Sequence, residues 1–293
     1  MGMLWETDVY LSEIEKQLDE IDVVSFDIFD TLLLRTVAVP DDIFFKVGKR
    51  LQEEYPNTYD FPPEVFAGMR READAQARKK AWEAEEAEEI TLDHIYEQFR
   101  LNDEYVACAK ACELAVEREN VYLNPNMADF ISYCHKLGKK LALVSDSYLN
   151  RVQITELLST AGLDLSLIST LIISCEYKVL KYNGKLFQIL TDAFPDVPKA
   201  RILHIGDNPH ADMDGAACAG IRSAYYGMIP QTLLHYMSVE RNHFGCSPDT
   251  VASLRKLAMG SVPHEYRKSE ERFFFEAGCS VFGVIYTFFA EWI

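Results

Sequence analysis

Four short segments of this 293-residue chain carry side chains that could do chemistry on a phosphorus or carbon centre. The first is Ser25-Phe26-Asp27-Ile28-Phe29-Asp30-Thr31-Leu32-Leu33-Leu34, directly after the apolar pair Val23-Val24. An apolar run ending in Asp reads as a buried strand that delivers a carboxylate to its C-terminal edge, where open α/β sheets bind their ligands. A carboxylate so placed can attack and form a covalent aspartyl intermediate. The second is Ser145, which ends the run ALVS and could donate to an anionic oxygen. The third is Lys181, in Lys181-Tyr182-Asn183-Gly184-Lys185, just before a helical stretch. The fourth is Gly206-Asp207-Asn208-Pro209-His210-Ala211-Asp212, after the run ILHI. Asp207 facing Asp27 in a low-dielectric cleft would repel it strongly. A magnesium ion cancels that repulsion, takes hard oxygen ligands and keeps positions for water and a substrate phosphate. Lys181 would add a fixed positive charge, while Ser145 and the backbone N–H groups after Asp27 would hold the transferring group. That is catalysis by positioning and charge stabilisation, as phosphoryl transfer requires.

Such a set works only if the fold gathers its strand ends. The second half of the chain alternates strand-like and helix-like runs. Strands are expected at 140–145, 170–174, 201–205 and 222–226, with helices near 124–137, 150–161, 185–193 and 209–219. Asn124 at the N-cap, Pro125 at the first helical position and Gly138 as a stop mark one of these helices well. The alternation predicts an α/β fold, a Rossmann-like parallel sheet covered on both faces. Between the first strand and this run, the stretches 40–54, 62–89, 91–100 and 104–119 all read as helices. Val65, Met69, Ala73, Ala77 and Ala81 mark a stripe on the long one. The expected division is a core from 1–34 and 124–228, an all-helical insert from 35–123 that roofs the Asp27 site, and a C-terminal helical extension from 229–293. That extension ends in the apolar run VFGVIYTFFAEWI, which either packs back on its own core or meets another domain.

Composition narrows the function. The formal net charge of −17 argues against a nucleic-acid partner. The run 281–293 is shorter than a membrane span and contains Glu291. The N-terminus has no cationic region before an apolar core, and 1–22 reads as an acidic amphipathic helix. Seven cysteines, scattered and without a CxxC pair, fit a reducing cytoplasm. Cys108 and Cys112 share a helix face but lack the further His or Cys that a zinc site needs. The acidic run from Glu83 to Glu89 reads as a solvated helix face.

These residues carry a resemblance. FDIFDTLL, LVSD, Lys181 followed by Phe187, and GDNPHAD resemble, in order, the four motifs of the haloacid dehalogenase superfamily, mostly phosphatases and phosphotransferases. The likeness covers about residues 20 to 228. It implies Asp27 as nucleophile, Lys181 as the charge beside it, and Thr31, Ser145, Asp146 and Asn208 around the substrate phosphate. The implied metal set is Asp27, the main-chain carbonyl of Phe29, Asp207 and, in the inner or outer shell, Asp212, holding Mg2+. The insert resembles the first type of cap in that superfamily. More narrowly, SFDIFDTLLLR, SDSYL and HIGDNPHADMDGA are similar to predicted bacterial hydrolases associated with, or fused to, glycosyltransferases of surface polysaccharide synthesis. The expected substrate is then a small phosphorylated metabolite such as a sugar phosphate, and the expected partner a glycosyltransferase met through the C-terminal apolar segment.

One position departs from the pattern. The superfamily's phosphatases carry a second Asp, a general acid and base, two residues after the nucleophile, where this chain has Phe29. Losing such a group costs about 10² to 10⁴ in rate. Asp30 is the candidate replacement, with a plain turn role as its alternative. Two other readings follow: a binding or scaffold module with a degenerate site, and a metal-free dehalogenase, since dehalogenases carry an aromatic there. Other residues keep double readings. His204 is expected in the core or behind the site, and His210 on the surface or toward substrate. Asp146 reads as a substrate contact or a helix cap, and Arg35 as an anion contact or a surface pair. Arg70, Arg71 and Arg78 read as substrate-reading groups or ordinary helix pairs with Glu64, Glu72 and Asp74.

Overall fold

In the computed structural model, residues 3–84 and 87–227 are described, with Gly278, Gly283 and Tyr286 beyond them. The expectations for 229–293, including its apolar end, lie outside the described residues. After α1 (Val9–Glu15) the chain enters β1 (Val23–Phe26), turns through Asp27–Leu32 and forms β2 (Leu33–Arg35). Four helices follow: α2 (Asp42–Glu54), α3 (Pro63–Glu83), α4 (Leu92–Tyr96) and α5 (Asp103–Glu119). β3 (Val121–Leu123) then leads to α6 (Pro125–Lys136), β4 (Lys140–Ser145), α7 (Arg151–Thr160), β5 (Thr170–Ile173) and α8 (Ser174–Tyr177). The chain continues through α9 (Lys185–Ala193), β6 (Ile202–Gly206), a π-helical turn over Pro209–Asp214, α10 (Gly215–Ala219) and β7 (Arg222–Tyr225).

Five strands form one parallel sheet in the order β5-β4-β1-β6-β7, with β1 at its centre. Alternate residues face opposite sides. Val24, Phe26, Leu141, Leu143, Leu203 and Ile205 belong to one buried cluster. Val23, Ala142, Val144, Ile172 and Ile202 belong to the other. Both faces are therefore covered, as the alternation of the sequence predicts. The register fixes the functional edge: Phe26 pairs with Leu143 and Ile205, and Ser145 with Ile173. Asp27, Ser145, Ser174 and Asp207 thus emerge at one edge of the sheet.

The helical insert is not entered directly from the sheet. β2 and β3 pair antiparallel, Leu33 opposite Leu123 and Arg35 opposite Val121, so both chain crossings run through one ribbon. Sequence periodicity missed this ribbon because each strand has three residues, too few to show alternation. The stripe on α3 also shifts. Phe66, Ala67, Arg70, Ala73 and Ala77 are buried, while Val65 is exposed.

Two further expectations change. The single helix over 1–22 is broken, because buried Asp8 turns inward to cap α1 through the amides of Tyr10 and Leu11 and accepts from Tyr226 Oη. The helix expected over 209–219 opens with a π-helical turn, a form common at functional sites. Gly215 follows that turn where a Cβ would meet the Lys181 carbonyl at 2.2 Å, so only glycine lets the lysine loop pack there.

Candidate active site

Lys181 is the hinge of the arrangement. Its Nζ donates to Asp27 Oδ1 at 2.6 Å and to Asp212 Oδ1 at 2.5 Å, and all three side chains are buried. Asp212 has further partners: His204 Nε2 lies 3.1 Å from Oδ1, and the Asn208 N–H donates to Oδ2 at 2.9 Å. Gly206 makes room for it, since a Cβ there would fall 2.3 Å from the Asp212 carboxylate. Behind it, Ser25 Oγ lies 2.8 Å from His204 Nδ1, two neighbours across the β1–β6 ladder. Asp27, Asp207 and Asp212 each bring a carboxylate oxygen within 4.8 Å of the others.

The electrostatics follow from that crowding. Burial pushes Asp27 well above the usual carboxylate range; Lys181 pulls it down, and Asp212 and Asp207 push it up again. Asp207 is raised to about 7, by burial and then by the charges of Asp30 and Asp212. Asp212 goes the other way although it shares the same lysine. Burial would raise it, but Lys181 and His204 together hold it well below the usual range. Burial opposes the charge on Lys181, and Asp27, Asp212 and Asp146 more than offset it. His204 is held below its ordinary value by burial, against the pull of Asp212, and is neutral near pH 7. Three carboxylates therefore face one ammonium, and full ionisation leaves two uncompensated negative charges.

The remaining expected residues sit as follows. Thr31 is buried and its hydroxyl reaches Asp207 Oδ1 at 3.4 Å. Ser145 is buried at the end of β4. Asp146 does not cap the following helix, a task that falls to Asn150. Its carboxylate instead accepts from the Lys181 N–H at 3.0 Å, and burial raises it to about 6. Asn208 spends its side-chain oxygen on the amides of His210 and Ala211. His210 is exposed beside Asp214. Asp30 has a left-handed backbone, φ 59°, which is uncommon for a non-glycine residue. Its carboxylate lies 3.5 Å from Arg35 Nη1, and the Arg35 guanidinium lies over the Phe29 ring at 4.1 Å. Arg35 also pairs with Glu117, so it is a buried contact and not a surface pair. Arg70 is buried against Glu113, Arg71 is exposed near Asp41, and Arg78 bridges Asp74 and Glu89.

Sequence reasoning missed the end of the acidic run. α3 stops at Glu83, and Glu88 and Glu89 turn toward the sheet edge instead of lining a solvated helix. Buried Glu89 accepts from Arg78 and Ser174, and Glu88 accepts from Leu180 N–H and Asn183. The signal was the apolar pair Ile90 and Leu92 directly after the run, which buries the segment beside it.

Residues 21–220 match the haloacid dehalogenase-like hydrolase family, more than half of the chain. The chain belongs to that family and is a hydrolase of its class. Among solved structures it is similar to an L-2-haloacid dehalogenase from Xanthobacter autotrophicus, with 16% identity, 75% of this chain and 83% of that one covered, and a TM-score of 0.51. It is also similar to a HAD phosphatase from Thermococcus onnurineus, with 17% identity, 70% and 86% coverage, and a TM-score of 0.50. A 2-haloacid dehalogenase from Pseudomonas syringae pv. Tomato matches at 18% identity, 71% and 87% coverage, and a TM-score of 0.50. At these identities the likeness establishes the fold. No curated protein matches the chain.

Proposed function

We propose that the protein is a magnesium-dependent phosphohydrolase in which Asp27 attacks phosphorus and water then releases phosphate from the aspartyl intermediate. The observation that carries this reading is the charge imbalance at the sheet edge. Asp27, Asp207 and Asp212 crowd within 4.8 Å around one lysine, an arrangement that suits a divalent cation and hard oxygen donors. Asp27, Asp207 and the Phe29 carbonyl would hold Mg2+, which supplies charge neutralisation for the phosphoryl oxygens. Asp212 acts one step back, because Lys181, His204 and the Asn208 N–H already engage both of its oxygens.

Lys181 orients Asp27 through Oδ1 and offers its charge to the phosphoryl group. Thr31, Ser145 and Asp146 line the same edge as phosphate-site residues, and Asn208 contributes through the turn it caps. Asp30, beside Asp207 and a third exposed, is the group to trade protons with the leaving oxygen and the incoming water in place of Phe29. The helical insert acts as the cap over a small phosphorylated metabolite, such as a sugar phosphate of polysaccharide synthesis. That setting, like the glycosyltransferase partner, is supported by the resemblance of the motifs, and a cytoplasmic location by the seven scattered cysteines without a CxxC pair. No helix among the described residues is long and apolar enough to cross a membrane.

The aromatic Phe29 favours one second reading, a metal-free carbon–halogen hydrolase. Phosphate release from a panel of phosphorylated sugars, nucleotides and small acids, with magnesium and with chelator, separates the two. Magnesium-dependent release, absent in Asp27→Asn, is the expected result. Halide release from 2-haloacids in the presence of chelator, with no phosphatase activity, would replace this function by the second reading.

A further inference from the structure

The loop that carries Lys181 is gripped from two sides. From the core, Asp146 accepts from the Lys181 N–H at 3.0 Å. From the helical insert, Glu88 accepts from the adjacent Leu180 N–H at 3.3 Å and from Asn183 Nδ2 at 3.0 and 3.2 Å, and it pairs with Lys185. The Glu88 N–H in turn donates to the Lys178 carbonyl at 3.0 Å. Both ends of the loop and its centre are thus tied to one residue of the insert. Neighbouring contacts seat that residue: Glu89 bridges Arg78 and Ser174, and the Leu92 N–H donates to the Tyr148 carbonyl at 2.9 Å. Segment 87–92 is therefore a clasp between insert and core.

We infer that Glu88 is a positioning residue for Lys181, so that the insert holds the lysine of the site as well as roofing it. The inference rests on the reading of Lys181 as the charge beside the nucleophile. Two carboxylates on consecutive amides fix the loop: Asp146 is permanent, and Glu88 is present only while the insert is seated. Lifting the insert would free the backbone on one side of Lys181, and a displacement near 1 Å in such a group costs about 10²-fold in rate. Glu88 touches neither reacting atom and acts only through the loop.

Hydrogen–deuterium exchange of segment 178–185 tests the grip without any substrate. Glu88→Ala should speed exchange of the Leu180 and Lys181 amides by about tenfold, at an open-state cost that a single hydrogen bond can supply. Glu88→Gln keeps an acceptor oxygen for the Leu180 N–H and should restore most of the protection. Binding of orthovanadate with magnesium, followed by inhibition or calorimetry, reads the consequence. Glu88→Ala should weaken it by about 10- to 100-fold and lower kcat similarly, with KM changed less than about threefold. Parental exchange rates in Glu88→Ala would overturn the inference, as would faster exchange with unaltered vanadate affinity. A parent protein that binds no vanadate and hydrolyses no phosphate ester would instead overturn the phosphohydrolase reading, and the positioning role with it. The exchange result would then show only whether the clasp exists.

Discussion

Arg70 on α3 and Arg35 at the end of β2 each pair with a glutamate of α5, whereas at the sheet edge three carboxylates share a single lysine. Arg70 donates to Glu113 through Nε at 2.7 Å and Nη2 at 2.9 Å, Tyr96 Oη adds a third bond at 2.7 Å, and the guanidinium lies over the Phe44 ring. Arg35 makes the matching pair with Glu117, one turn along α5, and lies over Phe29. The Arg70–Glu113 pair is buried with one charge facing one, and Arg35 meets Glu117 and, more loosely, Asp30. The edge around Asp27 is buried at Asp27 and Asp212, half-buried at Asp207, and unbalanced. Burial of charge alone does not mark a site in this molecule; burial of charge without its complement does.

The sharpest way to break that contrast is at the lysine and the nucleophile. Asp27→Asn should abolish turnover with the fold intact, and Lys181→Ala should lower kcat by about 10² to 10³. Parental rates in both variants would remove the catalytic assignment. The balanced side should answer in stability instead. Arg70→Met leaves Glu113 buried and unpaired, and should cost about 3–5 kcal/mol in urea unfolding. Replacing both partners, Arg70→Met with Glu113→Leu, should recover most of the loss. A single variant as stable as the parent would mean the pair does not hold the insert together.

A smaller effect distinguishes the two regions by their response to a cation. Asp207→Asn relieves crowding, so the chelated variant should melt higher than the chelated parent, while losing the rise in Tm that magnesium gives the parent. An equal magnesium response in both would exclude Asp207 as a ligand. The smallest effect is in pH. In the chelated protein, Asp207 near 7 and Asp146 near 6 bind protons more tightly folded than unfolded. Asp27, also raised by burial, acts in the same direction, while His204, lowered by burial, opposes it. With three raised carboxylates against one lowered imidazole, the folded state holds more protons between about pH 4 and 7, and stability falls as pH rises through that window. Asp212, held low, is ionised in both states across most of it. Urea midpoints that rise with pH over the same range would contradict this charge assignment.

Strand ends and their carboxylates were readable because an apolar run followed by Asp is a local signal, and so was the parallel sheet that gathers them. The close approach that requires glycine at 206 and 215 was not readable, since the Asp212 carboxylate and the Lys181 carbonyl that fill the space come from elsewhere in the fold. What stayed hidden depends on tertiary partners. Arg70 looks like a helix-surface charge until Glu113 and Phe44, from α5 and α2, enclose it. Glu88 and Glu89 look solvated by composition, and only the Lys181 loop and Ser174 give them partners. Asp146 reads as a substrate contact or, because it precedes a helix, a cap, yet the amide it serves is 35 residues away. The break at Asp8 depends in the same way on Tyr226, at the far end of the core.

The claim at the centre of this account is that Asp27 becomes covalently phosphorylated. Acid quenching of the first turnover, on the best phosphate ester from the panel with magnesium present, followed by mass spectrometry of the peptide that contains Asp27, tests it directly. A phosphoryl adduct on Asp27 that forms and decays with turnover, and is missing from Asp27→Asn, is the predicted result. Phosphate release at full rate with Asp27 unmodified throughout, or with the adduct on another residue, would contradict it.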